Sequence, residues 1–258
     1  EAGKYSKASV LFTDLLNKYR ASAEAEDLSY YTAYTSYRMK DYISARYHFK
    51  TFAQNYPNSA RAEECRFMSA YCFYIDSPRT NLDQENTYKA IDELQLFVNL
   101  YPESERSAEA SDLIQNLRNK LEKKAFDNAK LYYNMAQPAD FRAAVIAFES
   151  MLRQYPDTKY AEEAEYLIVR AQYMFAEHSA FFRQEERYND AIDYYQSFVQ
   201  NYPESKYVKE LETLRQSAER KIILAVKQTD QMNEARKKHE EELGIAGGPD
   251  AASANEAQ

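Results

Sequence analysis

Apolar and aromatic residues recur along this chain in one order: an aromatic residue, an alanine, further apolar positions and a closing tyrosine. The fullest copy begins at Tyr188, ends at Tyr202 and is followed by Pro203. Five copies in one register predict a repeat protein. They are Tyr5, Ala8, Phe12, Leu15, Leu16 and Tyr19; Tyr42, Ala45, Phe49, Phe52, Ala53 and Tyr56; Tyr88 (one place late), Ala90, Leu94, Phe97, Val98 and Tyr101; Phe141, Ala144, Phe148, Met151, Leu152 and Tyr155; and Tyr188, Ala191, Tyr195, Phe198, Val199 and Tyr202.

Each copy has the spacing of an amphipathic helix, because residues three and four apart lie on one stripe of an α-helix. The proline after the closing tyrosine has no N–H to donate and therefore ends the helix. In the first copy Arg20 replaces that proline. The alanine lets a neighbouring helix approach closely. The order Ala45, Phe49 and Pro57 resembles the second helix of a tetratricopeptide repeat.

The distances between closing tyrosines divide the chain and reveal insertions, since they exceed the repeat length of about 34 residues. We expect the helices to run over 24–39, 42–55, about 104–136 and about 206–242, and Asn58-Ser59 to begin the first helix of repeat 3, which ends near Ile75. The predicted units are a partial first repeat (1–20), repeat 2 (21–57), repeat 3 (58–102) with an inserted loop (76–86), repeat 4 (103–156) with a long first helix, repeat 5 (157–203) with an insertion (177–187), a C-terminal capping and projecting helix (204–243) and a disordered tail (244–258).

The insertions have two interpretations. Extra segments in repeat proteins map to loops on one face and are often binding points. The alternative is a tolerated surface loop, because longer loops cost little free energy. Within 177–187, the exposed-looking pair Phe181 and Phe182 is a candidate partner-binding loop.

Composition supports an all-α fold. The chain of 258 residues is 45% hydrophobic and contains only 4 glycines, and it lacks the Asn-Gly and Asp-Gly turns of β-hairpins. Its 24 tyrosines fit helix packing that buries rings and leaves hydroxyls in water. We therefore predict a tetratricopeptide-repeat superhelix of about five helix-turn-helix units with a long C-terminal helix.

Charge and hydropathy exclude some functions. A formal net charge of −8 without a basic stripe is unfavourable for nucleic-acid binding, which depends on neutralising phosphates. The sequence contains no stretch of about eighteen apolar residues, the length that a membrane-spanning helix needs. Cys65 and Cys72 lie on one predicted helix, roughly 10 Å apart at about 1.5 Å per residue, too far for a disulfide. Both are expected to be free, half-buried packing residues.

No group of residues predicts an enzyme. His48, His178 and His239 lie in three different units, and there is no glycine-rich phosphate loop, Gly-x-Ser-x-Gly or His-Glu-x-x-His motif. The acid pairs Glu63-Glu64, Glu162-Glu163 and Glu185-Glu186 are interpreted as solvated helix faces. We predict no catalytic, metal-binding or cofactor-binding residues and no cofactor.

Aromatic residues outside the packing stripe predict a groove for a peptide or partner. Rings supply contact area at low entropic cost, and a groove lined with them suits an extended or helical peptide. The alternative is that these rings pack against the next helix, and for Phe67 the two interpretations have equal weight. The candidates surround the small positions Ala33 and Ala70 and are Tyr30, Tyr34, Arg38, Phe67, Tyr71 and Tyr74.

Over residues 1–225 the chain resembles the BamD family, the lipoprotein subunits of the bacterial outer-membrane β-barrel assembly machinery. The order of the units and the polar insertion from Ser77 to Glu85 make the match specific. The segments that carry it are Gly3-Lys4-Tyr5 with Leu15 and Tyr19, Phe97-Val98-Asn99-Leu100-Tyr101-Pro102-Glu103-Ser104, the helix from Ala110 to Ala129, Tyr132-Tyr133, and Met151-Leu152-Arg153-Gln154-Tyr155-Pro156-Asp157-Thr158.

The resemblance implies a non-enzymatic scaffold on the periplasmic side of the outer membrane, anchored by a lipidated N-terminal cysteine that is not in this sequence. It also implies docking onto a BamA-like barrel through the C-terminal repeats, association with other assembly subunits, and contact with outer-membrane protein precursors. Two features depart from the family pattern: the insertion at 177–187 and the charged segment after Met232. A generic soluble repeat adaptor, either a periplasmic coordinator or a co-chaperone, is the alternative function.

Overall fold

A computed structural model describes residues 2–19, 22, 24–135 and 137–243. This part of the chain is all-α, as predicted, and consecutive helices pack on one another from the first helix to the fifth and from the seventh to the tenth. The predicted tail at 244–258 lies outside the described residues. The helices are α1 (Ala2–Lys18), α2 (Ala25–Arg38), α3 (Tyr42–Asn55), α4 (Ala62–Ile75), α5 (Glu85–Leu100), α6 (Arg106–Met135), α7 (Pro138–Gln154), α8 (Ala161–Glu177), α9 (Phe181–Asn201) and α10 (Val208–Glu242).

The chain divides into two compact units, with the boundary inside α6. Unit 1 extends to Lys124 and contains α1 to α5 with most of α6. Unit 2 starts at Ala125 and contains the end of α6 with α7 to α10. Each unit has its own hydrophobic core, centred on residues such as Phe49 and Phe97 in unit 1 and Phe148 in unit 2.

The repeated alanine is where the helices meet. Ala45, Ala90 and Ala144 have no exposed surface, and Ala191 is 3% exposed. Four residues after the first of these alanines, Phe49 is also fully buried. Burying a large apolar side chain contributes about 1.5–3 kcal/mol, so the repeated stripe supplies much of the stability of each unit.

The Tyr-Pro-x-Ser/Thr sequence forms the same turn four times. At Tyr56 the helix ends, and the Ser59 N–H donates to the Tyr56 carbonyl over 3.1 Å. The Ser59 hydroxyl oxygen then accepts the N–H of Arg61 over 3.1 Å. The predicted cap at Asn58-Ser59 is wrong in position, because α4 starts at Ala62, after this turn. Equivalent bonds occur at Ser104, Thr158 and Ser205.

The insertion in repeat 3 is ordered against α6. Its residues 76–84 separate α4 from α5, so the loop ends two residues before the predicted limit. Lys120 donates to the Ser77 hydroxyl over 2.8 Å, and Lys124 donates to the Leu82 carbonyl. The buried Gln84 amide donates to the Leu82 carbonyl over 2.9 Å. Burial lowers the pKa of Lys120.

The insertion at 177–187 is helical rather than a loop, so this prediction is wrong. Only residues 178–180 separate α8 from α9. The Gln184 amide donates to the carbonyls of Glu177, over 3.2 Å, and Ser179, over 3.0 Å. The Arg187 guanidinium also donates to the Ser179 hydroxyl. These side chains satisfy hydrogen-bond acceptors at the C-terminal end of α8. Helix α9 can therefore begin at once, and the surplus residues of repeat 5 lengthen it.

The last helix covers α9 with the predicted stripe. Leu211 is fully buried, and Ala218 and Ala225 are each 1% exposed. Beyond Met232 the helix continues to Glu242 with mostly exposed side chains. Cys65 and Cys72 are free, as predicted, and are fully buried rather than half-buried. Burial raises the pKa of each thiol to about 12.

Enlarging a contact alanine should disrupt the packing. We expect Ala45→Leu to reduce the free energy of unfolding by about 1–3 kcal/mol, because a buried site without free volume is overpacked. Urea unfolding followed by circular dichroism measures the loss. Ala235→Leu, at an exposed position of α10, is the control and should change stability little. Equal effects of the two substitutions would contradict the close-contact role.

The stability of unit 1 should fall in mild acid because of His48. Burial lowers the pKa of His48, and the charge of Asp41 only partly opposes this effect. The folded imidazole therefore binds a proton less readily than the unfolded one, and the unfolded chain binds more protons as the pH falls through 6.5. The stabilising effect of the uncharged His48 side chain is present above pH 6.5 and is lost as the pH falls below this value.

We expect His48→Gln to narrow the difference between urea midpoints at pH 7.5 and pH 5.5. The exposed His239→Gln is the matched control and should leave the difference unchanged. A pH dependence unaffected by His48→Gln would rule out this cause.

Candidate functional site

The predicted groove residues lie on α2 and α4 of unit 1. Tyr30 and Tyr34 are half-buried, and both hydroxyls donate to the Glu64 carboxylate, over 3.0 Å and 2.6 Å. Burial, followed by the hydrogen bond to Glu64, raises the pKa of Tyr34. Burial also raises the pKa of Tyr30. Both phenols therefore remain protonated donors at neutral pH.

The rings of α2 pack within the fold. Tyr34 meets Phe49 edge-on with 5.1 Å between centroids, and it lies 4.8 Å from the ring of Tyr30. Tyr30 also packs edge-on against Phe52 at 5.9 Å. The alternative interpretation, packing against neighbouring helices, describes these two tyrosines.

Phe67 is a core residue, and its predicted place in a groove lining is wrong. It is 2% exposed and packs edge-on against Phe97 at 5.4 Å, because it faces the second helix of its own repeat. Tyr71 stacks on Phe67 at 5.8 Å, and Tyr74 stacks on Tyr71 at the same distance. Tyr71 and Tyr74 are half-buried and Arg38 is exposed. These three side chains remain available at the surface of unit 1.

An equivalent polar contact in unit 2 was not predicted from the sequence. The Tyr166 hydroxyl donates to Glu210 over 2.9 Å and accepts from Arg170 over 2.9 Å. Tyr207 stacks on Tyr166 with 3.9 Å between centroids. Tyr30 precedes Glu64 by 34 residues, whereas Tyr166 precedes Glu210 by 44. Because the repeat in unit 2 is longer, the sequence spacing did not reveal that the two contacts are equivalent.

The turn serines link successive repeats. Ser59 donates to Glu26 over 2.6 Å, Ser104 to Glu63 over 2.5 Å, and Ser205 to Glu162 over 2.7 Å. In each link, a turn after a second helix binds the first turn of an earlier first helix.

Two of the predicted solvated acid pairs are therefore structural contacts, which corrects the sequence interpretation. Glu63 and Glu64 accept bonds from neighbouring repeats. In the second pair, Glu162 accepts from the turn serine, and Glu163 lies 2.8 Å from the Lys130 ammonium. Only the packed structure brings these donors to the carboxylates.

Phe181 and Phe182 occupy the first turn of α9, so they form a helix start and not a loop. Their rings meet edge-on at 5.8 Å, and Phe182 is 56% exposed. An exposed phenylalanine at a helix start is accessible to a partner. Its binding role remains a prediction.

The described residues contain no group of three or more His, Cys, Asp or Glu side chains that could hold a metal ion. In that same part of the chain, no helix is both long and apolar enough to cross a bilayer.

Paired helices, buried alanines and hydroxyl–carboxylate links between repeats define a tetratricopeptide-type helical-repeat protein. A family model described as outer membrane lipoprotein, YfiO, matches residues 1–140 and 133–234. The chain therefore belongs to the YfiO family of outer membrane lipoproteins.

A named relative confirms the resemblance to the BamD family. The outer membrane protein assembly factor BamD of Caulobacter vibrioides is 23% identical to this chain over 171 residues. The match covers 66% of this chain and 55% of the relative. It thus spans little more than half of the relative's length.

The hydroxyl of Tyr34 should stabilise unit 1. We expect Tyr34→Phe to cost about 1.5–3 kcal/mol, the usual contribution of a hydrogen bond to a charged group. Tyr34→Ala should cost more, because it also removes the ring contact with Phe49. Thermal and urea unfolding measure both changes. A neutral Tyr34→Ala substitution would restore the groove interpretation for this residue.

Proposed function

We propose that this protein is a non-enzymatic scaffold subunit of an outer-membrane protein assembly complex. The observation that carries the proposal is the family match over residues 1–140 and 133–234, together with a relative named as an assembly factor. The polar contacts support a structural role. The carboxylates Glu63, Glu64 and Glu162 are bound to hydroxyl donors of other repeats, an arrangement that holds helices in register.

We propose that unit 2 contains the surface that docks onto the periplasmic domains of a BamA-like barrel. Several large apolar side chains in this unit are exposed, as expected for a surface that a partner covers. Ile146 of α7 is 52% exposed, Phe182 of α9 is 56% exposed, and Ile223 of α10 is 69% exposed. Other assembly subunits are further partners in this proposal.

We assign contact with outer-membrane protein precursors to the surface of unit 1. The half-buried Tyr71 and Tyr74 and the exposed Arg38 support it, because stacked rings offer apolar area and a guanidinium offers hydrogen-bond donors. Membrane contact would come from an N-terminal lipid on a cysteine outside this sequence. The site of action is then the periplasmic side of the outer membrane.

Affinity purification of the tagged protein from detergent-solubilised native membranes tests this function. We expect recovery of a barrel protein that carries amino-terminal periplasmic domains. Ile146→Glu should lower that recovery about tenfold, equivalent to roughly 1.4 kcal/mol, because it places a charge in an apolar contact. The measurement is quantitative mass spectrometry of the purified complex.

Ile43→Glu is the matched control, because Ile43 is 64% exposed on α3 of unit 1. Absence of any barrel protein from the wild-type sample would contradict the assembly function and favour a generic soluble adaptor. If Ile43→Glu lowers recovery as much as Ile146→Glu, docking through unit 2 is wrong.

A further inference from the structure

Unit 2 contains a cavity of about 450 Å³ between α7, α8 and α9. Its volume lies within the range of about 300–1,000 Å³ typical of ligand sites. Three arginines line it: Arg142 from α7, and Arg183 and Arg187 from the first turns of α9. Val145, which is 5% exposed, and Phe175 provide apolar lining.

Arg187 is held in a defined position. Its guanidinium lies 4.0 Å from the centroid of the Phe175 ring and donates to the Ser179 hydroxyl. Burial and the nearby charges of Arg183 and Arg142 lower the pKa of Arg187. All three arginines line this one cavity, so an anion bound there would lie near several positive charges.

The acidic residues of the cavity already have donors within the chain. Glu149 accepts from the Tyr194 hydroxyl over 2.6 Å, and Asp190 accepts from the Gln172 amide over 3.0 Å. Glu186 pairs with Arg183 at 3.4 Å.

Two of the cations lack such a partner. Within the described residues, no carboxylate lies within the 4.0 Å ion-pair distance of Arg142 or Arg187. Arg142 and Arg187 are therefore described cations of this cavity without an ion-pair partner, while Glu149 and Asp190 accept from the neutral groups of Tyr194 and Gln172.

We propose that this cavity binds an acidic segment of a partner protein, with one of its carboxylates accepted by Arg142 and Arg187. A guanidinium presents its donors in a planar fork that matches a carboxylate. The apolar wall at Val145 and Phe175 suits the aliphatic part of such a segment. The inference rests on the proposed function, because it takes the occupant to be a protein that docks on unit 2.

The remaining charges favour a carboxylate over a phosphate. Asp190 and Glu149 line the same cavity, and a phosphate that carries close to two negative charges would meet stronger repulsion from them. Burial and the neighbouring charges of Glu186 and Asp193 raise the pKa of Asp190, and the charge of Arg187 opposes this effect. A singly charged side chain adds less repulsion, and its backbone N–H groups can donate to these acids.

Fluorescence anisotropy with a labelled peptide tests the proposal. The probe is fluorescein-Gly-Leu-Glu-Glu-Leu-Gly-amide, and its twin has glutamine at both glutamate positions. We expect the full chain to bind the acidic probe at least tenfold more tightly than the twin. Arg142→Gln and Arg187→Gln should each remove that preference. Arg220→Gln, which makes the same charge change at an exposed position of α10, should retain it.

Circular dichroism checks that each variant is folded. Arg187→Gln removes the hydrogen bond to Ser179 and could loosen the start of α9. Arg142→Gln keeps that bond and therefore tests the proposal in either case. Equal binding of the two peptides, or an equal loss in Arg220→Gln, overturns the proposal. Arginine-dependent binding to vesicles that contain phosphatidylglycerol, without binding to the acidic peptide, also overturns it and assigns the cavity to lipid phosphate.

The outcome is separable from that of the assembly function. If the purification recovers a barrel protein while the peptide does not bind, only the cavity assignment fails. If the peptide binds through Arg142 and Arg187 while no barrel protein is recovered, the cavity binds acidic segments and the assembly function fails.

Discussion

The structure depends on the close approach of neighbouring helices at buried alanines. Ala33 on α2 and Ala45 on α3 have no exposed surface, and Ala70 on α4 is buried to the same extent. Because a methyl group keeps two backbones close, the large rings on either side can fill the remaining space at the density of a protein interior. The aromatic stripe of each unit, including Phe49, therefore packs only while the alanine contact exists. The hydrophobic burial that stabilises the units follows from this one geometric condition.

Hydrogen bonds between repeats align the helices that this apolar contact brings together. The turn serines and the tyrosines of the first helices donate to carboxylates about one repeat away, as Ser104 does to Glu63 and Tyr34 does to Glu64. Apolar packing is not directional, whereas a hydrogen bond to a carboxylate has a defined length and angle. The contacts also explain why an acidic protein can hold many carboxylates at helix starts, where the helix dipole favours negative charge. Surface side chains that take no part in these internal hydrogen bonds are the ones that can contact partners.

The additional length of repeat 5 has a structural consequence at the proposed binding cavity. Within the insertion at 177–187, the residues from Phe181 onward belong to α9, and they supply both Arg183 and Arg187 to the cavity wall. The same segment contributes Ser179 and Gln184, which close the end of α8 and fix the position of Arg187. An insertion that would add only mobile surface as a loop thus adds positioned charge as a helix. This links the departure from the family pattern to a distinct chemistry in unit 2.

The sequence alone determined the helices and their buried faces, because helical period, alanine spacing and Tyr-Pro stops are local properties. It predicted α3 at residues 42–55 and the buried positions Ala45 and Phe49, and it carried the family resemblance. Only the tertiary structure decided how the surface side chains are used. It made Phe67 a core residue, gave Glu64 its two tyrosine donors, and brought Arg142 of α7 to the same cavity as Arg187 of α9. Such contacts join residues about 30 to 45 positions apart, and variable repeat lengths hide that distance in a one-dimensional pattern.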